Sequence, residues 1–243
     1  MIYQARPGQV SYGEAIGILL LESSAPFIPG DVANATTYNF PVRFKKVPGL
    51  TVERIFNHDL SLLEQVIAAA HDLKNNGVRA VTGDCGFMAI YQKSLAEEID
   101  LPVFMSSLLQ VPFIRLLLGG KDKIGILTAN ASALNRDVFQ SCEAYLPGRT
   151  VIAGLEDQPC FRSAFIEEAG QLDRDKVEAE VVSAALKIAK EDPAVKALLL
   201  ECSVLPPYGA AIQQATGLPV FDYVTMINYV YSAVVKQKIN GFM

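Results

Sequence analysis

Histidine is scarce in this chain of 243 residues: only His58 and His71 occur. One falls near a helix start and the other inside a helix, without paired ligand spacing, so no metal centre is expected. Charge is sparse as well. Only 19% of residues are charged, the net charge is −5, and no basic run occurs, which argues against a nucleic-acid or anionic membrane surface as partner. No apolar stretch approaches the roughly 18 residues of a membrane span. The first apolar run, Ile16 to Leu21, is too short for a signal-peptide core and lacks a following cleavage pattern, so a cytoplasmic location is expected. Cys-x-x-Cys is absent, and the four cysteines (Cys85, Cys142, Cys160, Cys202) are expected as thiols. Phosphate-loop and dinucleotide fingerprints are absent too, Gly119-Gly120 reading instead as a helix end.

What the chain does have is apolar residues, 51% of the total, enough for a substantial core and incompatible with disorder. It also repeats itself. "VRAVTGDC" (Val78 to Cys85) matches "VKALLLEC" (Val195 to Cys202), and "LPVF" occurs at Leu101 and again at Leu218. Both matches are displaced by 117 positions (195 − 78 and 218 − 101). A third, Ile-Gly-Ile-Leu at Ile16 and Ile124, is displaced by 108 (124 − 16). The chain therefore reads as a duplication whose halves differ by one insertion. Its expected position is the Pro- and Gly-broken loop Ser23 to Val42, a candidate lid or substrate-binding loop.

Short apolar runs alternate with helical patterns, which predicts βα units and parallel sheets. Leu60 to Gly77 and Asp173 to Pro193 read as the helices that feed the two cysteine-ending strands, and Asp222 to Ile239 as a final helix carrying Tyr223, Tyr229 and Tyr231. The predicted fold is α/β, with two pseudosymmetric lobes, each a parallel sheet flanked by helices, and a cleft between them. The first lobe is expected to hold residues 1–107 and 222–243, the second 108–221.

Ligands of open α/β sheets sit at the carboxyl ends of strands, where both Cys85 and Cys202 fall. Facing each other across a cleft, one thiolate could take a proton from a substrate carbon while the other thiol returns one to the opposite face. A helix start beside each sulfur would lower its pKa. Asp84 and Glu201, pointing to the other sheet face by strand alternation, would matter little. The charge developing on a neighbouring carboxylate calls for amide or hydroxyl donors. The candidates are Gly86 and Phe87 after Cys85, Ser203 and Val204 after Cys202, Ser23 and Ser24 in the first loop, and Thr128 and Asn130 in its counterpart. Cys142 and Cys160 have no repeat partners and read as inert packing.

With "IGILTAN", "GDCGF", "LECSVLPPY" and the twin "LPVF" strands, the sequence resembles the aspartate/glutamate racemase superfamily along essentially its whole length. That superfamily includes hydantoin racemases, maleate isomerases and arylmalonate decarboxylases. "ECSVLPP" is similar to its second cysteine motif, whereas Cys85 precedes Gly-Phe in place of the Asn-Thr usual in amino-acid racemases. The resemblance implies cofactor-independent chemistry beside a carboxylate, with no metal, on a small carboxylate substrate, and a homodimer. The expected activity is an isomerase: a racemase or epimerase with Cys85 and Cys202 as acid/base pair. A one-cysteine isomerase or decarboxylase and a non-catalytic carboxylate-binding protein are the alternatives.

Overall fold

The computed structural model describes residues 1–243. The first lobe runs β1 (Ile16–Leu20), β2 (Val42–Lys46), α1 (Val52–Phe56), α2 (Leu63–Asn75), β3 (Ala80–Gly83) and α3 (Gln92–Glu98). Helix α4 (Val111–Leu117) leads to β4 (Lys123–Thr128), α5 (Arg136–Ser141), β5 (Thr150–Gly154), α6 (Pro159–Phe161) and a π turn, Arg162–Ile166. Then come α7 (Arg174–Glu191), β6 (Val195–Leu200), α8 (Gly209–Thr216), β7 (Val220–Phe221) and α9 (Tyr223–Val234). Two parallel sheets result, ordered β2-β1-β3 and β5-β4-β6-β7. Strands β1, β3 and β6 are almost wholly buried, which is why they read as near-continuous apolar runs, interrupted only by Thr82 and Lys196, and not as alternating patterns.

The repeat is visible in the strand registers. Ile16 pairs with Ala80, and Ile124 with Ala197; the Val81–Val103 bridge corresponds to Leu198–Val220. The first "LPVF" thus makes a single bridge where the second makes a short strand. The glycine shared by the two Ile-Gly-Ile-Leu motifs has a packing cause. A Cβ on Gly17 would lie 2.9 Å from Leu73 of α2, and one on Gly125 would lie 2.7 Å from Leu198 and 2.9 Å from Ile188 of α7. Each helix rests directly on the central strand, where only glycine fits.

The registers also correct the expected site of the insertion. Ile16 pairs with Val42 and Ile124 with Thr150, so the displacement is still 108 (150 − 42) beyond the loop that starts at Ser23, and that loop is no longer than its counterpart. From Val42 to Ala80 is 38 positions (80 − 42), and from Thr150 to Ala197 is 47 (197 − 150). The nine extra residues therefore lie between β5 and β6, in the stretch holding α6, the π turn and α7.

One face of the first sheet, through Ile16, Ile18 and Ala80, packs on Tyr223, Met226 and Ile227 of α9. Its other face belongs to an apolar cluster that continues into Ile124, Ile126, Ala197 and Leu199 of the second sheet, through Leu108, Val111 and Ile114. The far side of the second sheet buries Val181, Ala185 and Ile188 of α7. Asp222 starts α9 by accepting the Thr225 N–H at 2.6 Å, and the helix ends at Val234, short of the predicted Ile239. Tyr223 is fully buried, Tyr231 stacks on Phe40, and Tyr229 is exposed. No helix is long and apolar enough to cross a membrane.

Candidate active site

Strand β3 ends at Gly83, and the next two residues are Asp84 and Cys85; β6 ends at Leu200, followed by Glu201 and Cys202. Both thiols are 8% exposed and line one cavity of about 50 Å³. The two cysteine loops are tied together: the Ser203 hydroxyl donates to the Asp84 carbonyl, and the Tyr223 hydroxyl donates to the carbonyls of Met105 and, at 3.3 Å, Cys85. The first loop crosses to the second lobe, where Val32 N–H donates to the Ser203 carbonyl and Gly30 lies against Pro207.

Of the residues expected beside the cysteines, Ser23, Phe87, Ser203 and Val204 line the cavity. Gly86 instead makes room for an acid, since a methyl group there would collide with the Glu201 carboxyl. The Thr128 hydroxyl is spent on Glu201 at 2.8 Å. Asn130 caps its own turn, accepting from the amides of Ser132 and Ala133 at 3.0 and 3.1 Å. Ser24 is exposed; its N–H and the Ser23 hydroxyl both donate to Glu168. Cys142 is buried in the shared core and pushed up to about 12, chiefly by burial; Cys160 lies apart, half-buried on α6. His58 lies near the cleft, its Nε2 2.8 Å from the Ala133 carbonyl, and no cluster of metal-ligating side chains occurs.

What the sequence did not disclose is the lining. Phe27, Phe56 and Phe165 join Phe87 around the sulfurs, and Phe56 meets Phe87 edge-on with centroids 5.0 Å apart. They come from three separate connections, so no local motif announces them. The length difference between the two crossovers was the available signal for Phe165.

The electrostatics also depart from expectation. Burial, the neighbouring Cys202, Glu201 and Asp84 all push the Cys85 thiol up, and only the Phe87 amide opposes them. Burial and then Glu201 do the same to Cys202, against the amides of Val204 and Ser203. A 3₁₀ helix starts directly after Cys85, whereas the expected helix start beside Cys202 is a turn, with the next helical residues at Pro206–Tyr208; at both thiols desolvation outweighs the amides. Asp84 and Glu201 do not turn away harmlessly. Both are buried, and burial pushes each up to about 7. Asp84 lines the cavity and accepts the Leu21 N–H at 2.9 Å; one oxygen of Glu201 has no hydrogen-bond partner. Asp31, in the first loop, is buried beside them and is raised too, by burial first, with the Asp84 charge adding to it.

Two parallel sheets with a cysteine at the end of a corresponding strand in each give the fold of the aspartate/glutamate racemase superfamily. Unliganded arylmalonate decarboxylase superposes with a TM-score of 0.56 at 16% identity, over 91% of this chain and 92% of that one. Glutamate racemase from Bacillus anthracis superposes with 0.57 at 15%, over 90% and 82%, and allantoin racemase from Pseudomonas fluorescens with 0.54 at 18%, over 90% and 89%.

Within that fold, the sequence relatives are of one kind. Dimethylsulfoniopropionate lyase 3 of Emiliania huxleyi (strain CCMP1516) is 34% identical over 224 residues, 88% of this chain. Dimethylsulfoniopropionate lyase of Durusdinium sp. clade D is 31% identical over 222 residues, again 88% of the chain. The chain belongs to the dimethylsulfoniopropionate lyase family. It spans 58% of the length of the first relative and 73% of the second. No family model matches it. The expected isomerase class is thereby overturned: the relatives are lyases, and neither racemase nor isomerase describes them. The motif reading failed on class because strand-end cysteines occur in a fold that racemases and a decarboxylase share, so they mark the fold and not the reaction.

Proposed function

We propose that this chain is a lyase acting on dimethylsulfoniopropionate, with one of Cys85 and Cys202 as its base and the other thiol beside it in the same cavity. The carrying observation is that two thiols and the Asp84 carboxyl share one cavity walled by four phenylalanines. A propionate bearing a dimethylsulfonium group presents a soft cation, and an aromatic face attracts such a cation by about 0.5–1 kcal/mol at an exposed site and about 2 kcal/mol when desolvated. Asp84, ionising as the cation enters, supplies the counter-charge.

The same cation solves the problem of the raised thiols, because a positive charge within a few ångströms favours the thiolate. In the proposed step one cysteine thiolate takes the proton from the carbon next to the carboxylate. That C–H pair becomes the carbon–carbon double bond, and the pair of the carbon–sulfur bond leaves with sulfur. The products are a neutral thiol, dimethyl sulfide and acrylate. A thiolate and a sulfonium are both neutralised, and loss of opposite charges is favoured in an apolar, poorly solvating cavity. Racemisation would leave the charge on the substrate and demand more donors than the cavity offers.

Headspace measurement of dimethyl sulfide from the protein and dimethylsulfoniopropionate is the direct test; release that stops in Cys85→Ser or in Cys202→Ser supports the reading and names the base. No release from well-folded protein would count against it. The expected homodimer belongs to the same proposal. Phe113, Leu116 and Leu117 of α4 and Tyr229 of α9 are exposed, and a second copy covering them would be dispersed to monomers by Leu116→Asp in sedimentation analysis.

A further inference from the structure

The cavity is shut. Its volume of about 50 Å³ holds a few waters at most, against the 300 Å³ or more typical of small-molecule sites. Something must move before a substrate enters. The wall that most differs between the lobes is the longer β5–β6 crossover, which sends Phe165 into the cavity from its π turn.

Three residues after Phe165, Glu168 reaches across to the first lobe. One oxygen of its carboxylate accepts from the Ser23 hydroxyl and, at 2.9 Å, from the Ser24 N–H. Ser23 also lines the cavity. Two donors therefore converge on a carboxylate at the rim of the two-thiol site, and that carboxylate belongs to the protein itself. Glu168 holds this position with φ of +51°, a left-handed backbone that glycine adopts freely and a glutamate only against strain.

We propose that Glu168 is a resident competitor for the substrate's carboxylate, a latch that holds the Phe165 segment closed until an incoming carboxylate takes over the Ser23 and Ser24 donors. This rests on the reading of the substrate as a small carboxylate. No bond is made or broken: one carboxylate replaces another, and the released segment moves away from the first lobe.

The test compares two alkylating reagents of similar size, iodoacetate, which carries a carboxylate, and neutral iodoacetamide, with the modification of Cys85 and Cys202 followed by peptide mass analysis. The variant is Glu168→Gly, which removes the latch while suiting the backbone; Glu168→Gln and a thermal melt guard against a folding defect. Loss of a charged hydrogen bond is expected to speed iodoacetate about tenfold or more and iodoacetamide clearly less. Propionate should slow the iodoacetate reaction, and adding Ser23→Ala should abolish the preference. Equal rates in variant and parent, or an equal rise with both reagents, would overturn the proposal. Because alkylation needs no turnover, the two readings fail separately. A preference for iodoacetate in a protein that releases no dimethyl sulfide removes the lyase assignment and keeps the latch; release without the preference removes only the latch.

Discussion

Asp84 and Glu201 stand on the same step of the two lobes. The N–H of each donates to the adjoining central strand, Asp84 to the Leu19 carbonyl at 3.0 Å and Glu201 to the Leu127 carbonyl at 2.8 Å. Their side chains then diverge. The shorter acid faces the cavity and is held by a backbone amide, whereas the longer one reaches under Gly86 to a threonine hydroxyl and leaves an oxygen unpaired. The crossovers diverge too, by nine residues that lie in the stretch carrying Phe165 and Glu168. The duplicated frame places two thiols in register, and the unduplicated parts decide what can sit between them.

The largest effect should come from breaking the one feature that the lobes share. Of Cys85→Ser and Cys202→Ser, the one that removes the base is expected to lower dimethyl sulfide release by roughly 10³-fold, the scale of general acid–base catalysis, and the other by clearly less. The unequal loss would show which lobe supplies the base, and activity surviving in both would refute a thiol base.

The next test separates the two acids by pH. A carboxyl that is held near 7 when folded, from ordinary values of 3.8 for Asp84 and 4.5 for Glu201, binds its proton more tightly in the folded state. Its contribution to stability is fully present below about pH 4 and is lost as pH rises through about 7, to a total of order 4 kcal/mol for so large a shift. Asp84→Asn and Glu201→Gln should therefore flatten the fall of Tm between pH 4 and 7 relative to the parent. A slope identical to the parent's would mean that these groups are not the buried acids described.

Packing offers a third contrast. Gly125→Ala must displace two side chains and Gly17→Ala only one, so both should destabilise by about 1–3 kcal/mol, Gly125 more, in denaturant unfolding. The reverse order would place the tighter helix–strand contact in the first lobe. The smallest effect is expected at the aromatic wall: Phe165→Leu should raise KM for the sulfonium substrate a few-fold, consistent with about 1 kcal/mol for a lost cation–π contact, with kcat little changed. An unaltered KM would remove Phe165 from cation recognition.

Much of the frame was legible because parallel strands are written as apolar runs and the repeat fixed which runs correspond. Ile-Gly-Ile-Leu announced both central strands, and the two acid–cysteine steps pointed to the candidate site. The insertion was misplaced because the Pro-rich loop looks irregular, while its counterpart, of equal length, is regularised by α5. The direction of the thiol shifts was missed because desolvation depends on Phe27, Phe56 and Phe165, which arrive from distant segments. Glu168 could not be seen at all, since its partners lie 144 and 145 positions away. Racemase and lyase were inseparable at the motif level because the cysteine motifs mark a fold that hosts more than one reaction.

The packing of α9 against Ile16, Ile18 and Ala80 also has a consequence in time. On the ribosome the strands of the first lobe emerge long before residues 223–234, so one face of their sheet stays bare while the second lobe is being made. The nascent chain would hold a sticky, half-covered sheet through most of its synthesis. Ribosome-bound chains halted before Tyr223 should accordingly recruit holdase chaperones, and those carrying α9 on a linker long enough to clear the exit tunnel should release them.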